Sequence, residues 1–216
     1  MNIKILYLSI IVALLVGCKA EETKILIVGD SISLGYTPFV KDSLANEGVI
    51  VEHNNGNAQD SGYGLKNIGK WIKSGDYDII QFNWGLWDLC YRHPDSKVQG
   101  NRDKVNGTLT YTLEEYEQHL EDIVKILEKE TDAQLIFVTT TYVPKEEVGR
   151  FPEDPQKYNE VAKKVMKRHS IPVNDIFERS ISIHKQYGQG VDNVHYWDDG
   201  YKELSKLIIS YLKPYL

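Results

Sequence analysis

Cysteine is scarce: the 216 residues hold two, Cys18 and Cys90, too few for a disulfide framework. Positive charge is also short. Lys and Arg number 25 against 31 Asp and Glu, a formal −6, so no basic stripe exists to neutralise phosphates and a nucleic-acid partner is excluded. No repeat or low-complexity segment breaks the chain. His53, His93, His119, His169 and His184 lack the spacing that pairs metal ligands, so neither a metal nor a cofactor is expected. What remains is a globular composition, 42% hydrophobic and 26% charged, with length for one domain and a full core.

The longest apolar run, Ile5 to Val16, is too short to span a bilayer as a helix. It follows Lys4 and ends at Gly17, the charged start and small-residue exit of a secretory signal. Leu15-Val16-Gly17-Cys18 resembles the lipobox of bacterial lipoproteins. That resemblance implies cleavage before Cys18, acylation of Cys18, and a lipid-anchored protein of the bacterial cell envelope, in the cell membrane or outer membrane. Residues 1–17 then read as leader, 18–23 as tether and 24–216 as the folded domain. With Cys18 lipidated, Cys90 has no partner and reads as a small buried hydrophobe.

From residue 24 strand-like and helix-like stretches alternate, which predicts a parallel sheet covered on both faces. Lys24 to Val28 is the first strand, with Val49 to His53, Tyr77 to Phe82, Gln134 to Thr140 and a weaker Ile171 to Ile176 following. Thr112-x-x-Glu115 is a capping box opening a helix with an apolar face from Leu113 to Leu127. Tyr158 to His169 and Asp199 to Leu212 also read as helices. Two stretches lack periodicity, Tyr91 to Tyr111 and Pro144 to Pro155. Both follow strands, which puts them at the carboxyl edge of the sheet, where open α/β folds bind ligands.

Gly29-Asp30-Ser31 stands where the first strand gives way to a helix. A Ser there is exposed above the sheet, beside backbone amides able to hold an oxyanion. Near the other end, Asp192-Asn193-Val194-His195 offers a carboxylate and an imidazole. A hydroxyl needs a base, and the base needs a carboxylate to fix its tautomer.

With these blocks the chain resembles an SGNH/GDSL-type hydrolase over roughly residues 24–216. The resemblance implies a three-layer α/β/α, flavodoxin-like fold with five parallel strands. It also implies a triad of Ser31, His195 and Asp192. The second block of the family, an oxyanion donor through a glycine N–H, falls on Ala58, with Gly56 and Gly62 as the alternatives. The third, normally Gly-x-Asn-Asp, is here Gly85-Leu86-Trp87-Asp88, which leaves Trp87 or Asn83 to donate beside the Ser31 N–H. Arg92, His93 and Arg150, in the two loops, are the expected substrate contacts.

The expected reaction is hydrolysis of a short acyl ester, O-acetyl above all, on a carbohydrate, through an acyl-enzyme. The family also holds lipases and thioesterases, so a lysophospholipase or thioesterase activity is one alternative. A glycan-binding relative weakened in turnover is another. The loops carry Lys97, Arg102, Lys104, Lys145 and Arg150 to meet acidic sugars, with Tyr91, Tyr111 and Tyr142 for stacking. Neither loop has the sustained apolar run that a long-chain lipase channel needs.

Overall fold

A computed structural model describes residues 22–216. The leader at residues 1–17, Cys18 and most of the tether lie outside the described residues.

Five strands form one parallel sheet: β1 (Thr23–Val28), β2 (Val49–His53), β3 (Ile79–Phe82), β6 (Gln134–Val138) and β7 (Val173–Asn174), in the order β2-β1-β3-β6-β7. The two remaining strands, β4 (Tyr91–Arg92) and β5 (Thr108–Leu109), make a separate antiparallel pair. Helix α6 (Asp198–Leu212) packs with both α1 (Ser31–Leu44) and α5 (Phe177–Tyr187). Likewise α3 (Leu113–Glu130) packs with both α2 (Ser61–Trp71) and α4 (Asp154–Arg168). This is the three-layer α/β/α arrangement that the alternating pattern predicts.

Ile25 to Val28 are each at most 1% exposed, because helices cover both faces of β1; this is why a buried parallel strand reads as an unbroken apolar run. The capping box at α3 forms as expected, Thr112 Oγ1 accepting from Glu115 N and Glu115 returning a carboxylate to Thr112 N. The face of α3 built from Tyr116, Leu120, Ile123, Val124 and Leu127 is wholly buried. Between α1 and α6 the approach is close enough that a Cβ on Gly35 would stand 2.2 Å from the Tyr201 ring. A larger residue there would push α6 away.

The strand order reverses between β1 and β3, and the crevice beyond their carboxyl ends is the ligand-binding place of such sheets. Asn54 and Asn83 hold that edge together. Asn54 Oδ1 accepts from Gly29 N at 3.0 Å, and Asn83 Nδ2 donates to the Val138 carbonyl at 2.8 Å. Each continues the interstrand pairing one step past the strand ends.

The loops above this edge have more structure than their sequence suggests. The β4–β5 pair lies inside Tyr91–Tyr111, and this loop is tied to residues 144–155 by Tyr91 N to Gly149 O and Lys104 N to Val148 O, both 2.7 Å. Cys90 is fully buried beside them, the small hydrophobe that the sequence predicts.

Candidate active site

Asp30 and Ser31 sit where β1 turns into α1. Asp30 is the N-cap, its Oδ1 accepting from Ile32 N at 2.9 Å. The carboxyl is buried, and that burial pushes its pKa up. Ser31 is therefore the first helical residue, where a helix leaves its amides unpaired and its dipole favours negative charge. Its side chain opens into a cleft of about 240 Å³ lined also by Trp87, Arg92, Arg102, Arg150 and His195.

Ser31 Oγ lies 2.9 Å from His195 Nε2. Ser33, two residues on, meets a second histidine, His53, at 2.7 Å, but it is 1% exposed. Only Ser31 can meet a substrate.

The segment carrying His195 is a closed turn. Gln189 N donates to the His195 carbonyl at 2.9 Å and Trp197 N to the Tyr187 carbonyl at 2.8 Å. Below it, His184 Nε2 donates to the Asn193 carbonyl at 2.7 Å.

Here the structure departs from the expected triad. The partner of His195 Nδ1 is Asn193 Oδ1, at 2.7 Å, and the same oxygen accepts from His195 N at 3.1 Å. Asn193 Nδ2 donates to Gln189 Oε1 at 3.3 Å, which fixes which end of the amide faces the imidazole. Asp192 is exposed, with its carboxylate folded over Gly190. Residues 193–195 are not helical, and Asn193, Val194 and His195 all line the cleft. Asp192 stands one residue earlier, in an exposed turn, so its carboxylate is left at the surface while the Asn193 amide meets the imidazole. Burial lowers the His195 pKa from 6.5, with Arg150 and Arg102 lowering it further and Glu147 opposing them. Neutral imidazole, with Nδ1–H on Asn193 and Nε2 open to the Ser31 hydroxyl, is the base form.

The expected oxyanion donors sort differently. Ala58 N–H is engaged by the Gly29 carbonyl at 2.9 Å, and Ala58 is fully buried. Its donor is taken by the sheet edge. Asn83 is absent from the Ser31 cleft because its amide clamps β3 to β6. Trp87 does line the cleft, with the Arg92 guanidinium 4.7 Å over its ring. Asp88, next in the block, is buried and accepts from Ser61 N and Oγ at 2.9 and 2.5 Å. Burial raises its pKa to about 7. It ties the third block to the start of α2.

Of the expected substrate contacts, Arg92 and Arg150 line the cleft and His93 does not. His93 Nδ1 accepts from Asp95 N within its own loop. Tyr91, Tyr111 and Tyr142 pack edge-on against Phe151, His119 and His184, away from the cleft. Arg102 and Glu147 carry more weight than the sequence reading gives them. Glu147 is fully buried and holds both Arg102 and Arg150. A tertiary pairing of this kind leaves no sequence signal beyond opposite charges in two aperiodic loops.

No family model matches the chain, and no curated protein sequence matches it. Solved structures do. A lipase/acylhydrolase from Enterococcus faecalis is 21% identical, covering 89% of this chain and 96% of its own, with a TM-score of 0.69. Axe2, an acetylxylan esterase from Geobacillus stearothermophilus, is 16% identical over 89% and 94%, with a TM-score of 0.68. A GDSL-like lipase from Bacteroides thetaiotaomicron is 17% identical over 90% of each chain, with a TM-score of 0.64. This chain has the fold of these GDSL-type hydrolases.

Proposed function

We propose that the protein is a serine ester hydrolase acting on short acyl esters of carbohydrate, O-acetyl first among them. The observation that carries this reading is the Ser31 Oγ to His195 Nε2 contact, 2.9 Å, opening into a cleft at the switch point of the sheet. Ser31 attacks the ester carbonyl and His195 takes its proton, then gives it to the departing alcohol oxygen as the C–O bond breaks. Asn193 holds the imidazole in the required tautomer, and His195 then activates water against the acyl-enzyme. The Ser31 N–H and the Trp87 indole N–H hold the oxyanion. Support for a short acyl group comes from the lining. Leu86, Trp87 and Val194 are its apolar members among charged and amide side chains, whereas a long acyl chain needs a continuous apolar channel.

A chain-length series of p-nitrophenyl esters, run beside acetate release from acetylated polysaccharides, tests the reading. The expected result is preference for acetyl over octanoyl with acetate released from a glycan. Preference for octanoyl and no acetate from any glycan would instead indicate a lipase or thioesterase. No turnover of any ester would indicate a binding protein.

For the oxyanion, Trp87→Phe keeps the ring under Arg92 and removes the N–H. It is expected to lower kcat by about 10²-fold, the usual loss for one donor. An unchanged kcat would remove Trp87 from the oxyanion site.

A further inference from the structure

Three guanidiniums converge on the cleft that holds Ser31, although the chain as a whole is net negative at −6. The positive sign is therefore local. Arg150 is the built part: its side chain is 6% exposed, Nε donates to the Leu86 carbonyl at 2.6 Å, and Nη1 donates to Glu147 at 2.9 Å. Its Nη2 makes no hydrogen bond among the described residues. Arg102 reaches the same Glu147 carboxylate from the other loop. Arg92 donates one Nη to the Gly100 carbonyl and stands 4.7 Å over the Trp87 ring, leaving its remaining N–H groups for a ligand. One carboxylate thus serves two guanidiniums, and the third has none among the described residues. Asp30, the one acid among the lining residues, has its charged form disfavoured by burial. The loop lysines do not share the arrangement: Lys104 Nζ donates to the Lys145 and Arg150 carbonyls, and Lys97 is exposed.

Holding like charges at a partly buried site costs stability unless a counter-ion arrives, and planar guanidiniums are suited to carboxylate oxygens. We propose that Arg92, Arg102 and Arg150 form a carboxylate subsite of the Ser31 cleft, so that the preferred ester carries a carboxylate beside the bond that is cut. This rests on the esterase reading above. The carboxylate can belong to the alcohol half, as on a uronic acid, or to the acyl half, as in a half-ester of a dicarboxylic acid.

Two substrate pairs separate these sources. The first is acetylated methyl glucuronoside against acetylated methyl glucoside. The second is p-nitrophenyl hemisuccinate against p-nitrophenyl acetate. The expected result is a kcat/KM about tenfold higher for the charged member of one pair, on the scale of one charge-assisted hydrogen bond. The pair that shows it identifies the half. Arg92→Gln is expected to erase that ratio and Arg92→Lys to keep part of it. Raising the ionic strength to about 0.5 M should compress it. Ratios near one in both pairs, or a ratio that survives Arg92→Gln, overturn the proposal. Calorimetric titration of Ser31→Ala protein with glucuronate and with succinate decides the subsite without turnover. Binding weakened by Arg92→Gln supports it, and no binding of either overturns it. Failure to hydrolyse p-nitrophenyl acetate or any acetylated sugar counts against the esterase reading alone.

Discussion

Ser31→Ala is expected to lower kcat for ester hydrolysis roughly 10⁴- to 10⁶-fold, and His195→Ala by a similar factor. The two effects should not multiply in the double variant, because each change disables the same proton transfer. Alanine is a good helix former at the first position of α1, so the melting temperature should move little. Ser33→Ala is the matched control. It removes a buried hydroxyl that donates to the Asp30 carbonyl at 2.8 Å and should cost stability of about 1 kcal/mol with turnover retained. Residual Ser31→Ala activity above about a hundredth of wild type, far outside the losses typical of a nucleophile, would show that another group attacks the ester.

Asn193→Ala should lower kcat by about 10³- to 10⁴-fold, the scale on which loss of the orienting group acts, while Asp192→Ala should change little. Titration provides a second readout. His195 must be neutral to accept the Ser31 proton, and burial, Arg150 and Arg102 hold its pKa below 6.5. The acid limb of kcat/KM is therefore expected below pH 6.5, with activity lost as pH falls through the lowered pKa. Asn193→Asp puts a negative charge on Nδ1–H, favours the imidazolium, and should move that limb to higher pH. Arg102→Gln should move it in the same direction by removing a positive neighbour. If Asp192→Ala abolishes turnover and Asn193→Ala does not, the orienting role belongs to Asp192.

Much of this architecture is readable in the residues, and the parts that are not fail for identifiable reasons. Strands buried on both faces are largely apolar runs, so β1, β3 and β6 stand out, and β2, at the sheet edge, is carried by its Val49-Ile50-Val51 start. Strand β7, two residues at the sheet edge, is weak for the same reason. The α3 capping box is a local device and is legible as one. By contrast α5, between Ile176 and Gly188, buries Phe177, Ser180, Ile183 and His184. Two of these four are polar, and a hydrophobic period is correspondingly faint. The meeting of Ser31 and His195 is legible from residue type and place, Ser31 at the end of β1 and His195 in the loop before α6. The orienting group is not, because choosing between Asp192 and Asn193 depends on which way successive side chains point. Ala58 fails for a related reason. Its identity suits a backbone donor, but whether its N–H is free is decided by Gly29, on another strand.

The hydrogen bonds between the β4–β5 loop and residues 144–155, with Glu147 gripping an arginine from each side, have a consequence for how substrate preference can change. A roof whose halves already hold each other is in place before a ligand arrives. Discrimination then resides in which side chains hang from a fixed frame. On the proposed reading, exchanges at positions such as 92 or 87 would redirect the site to another ester while the Ser31 and His195 foundation, anchored in the sheet edge below, is left as it was.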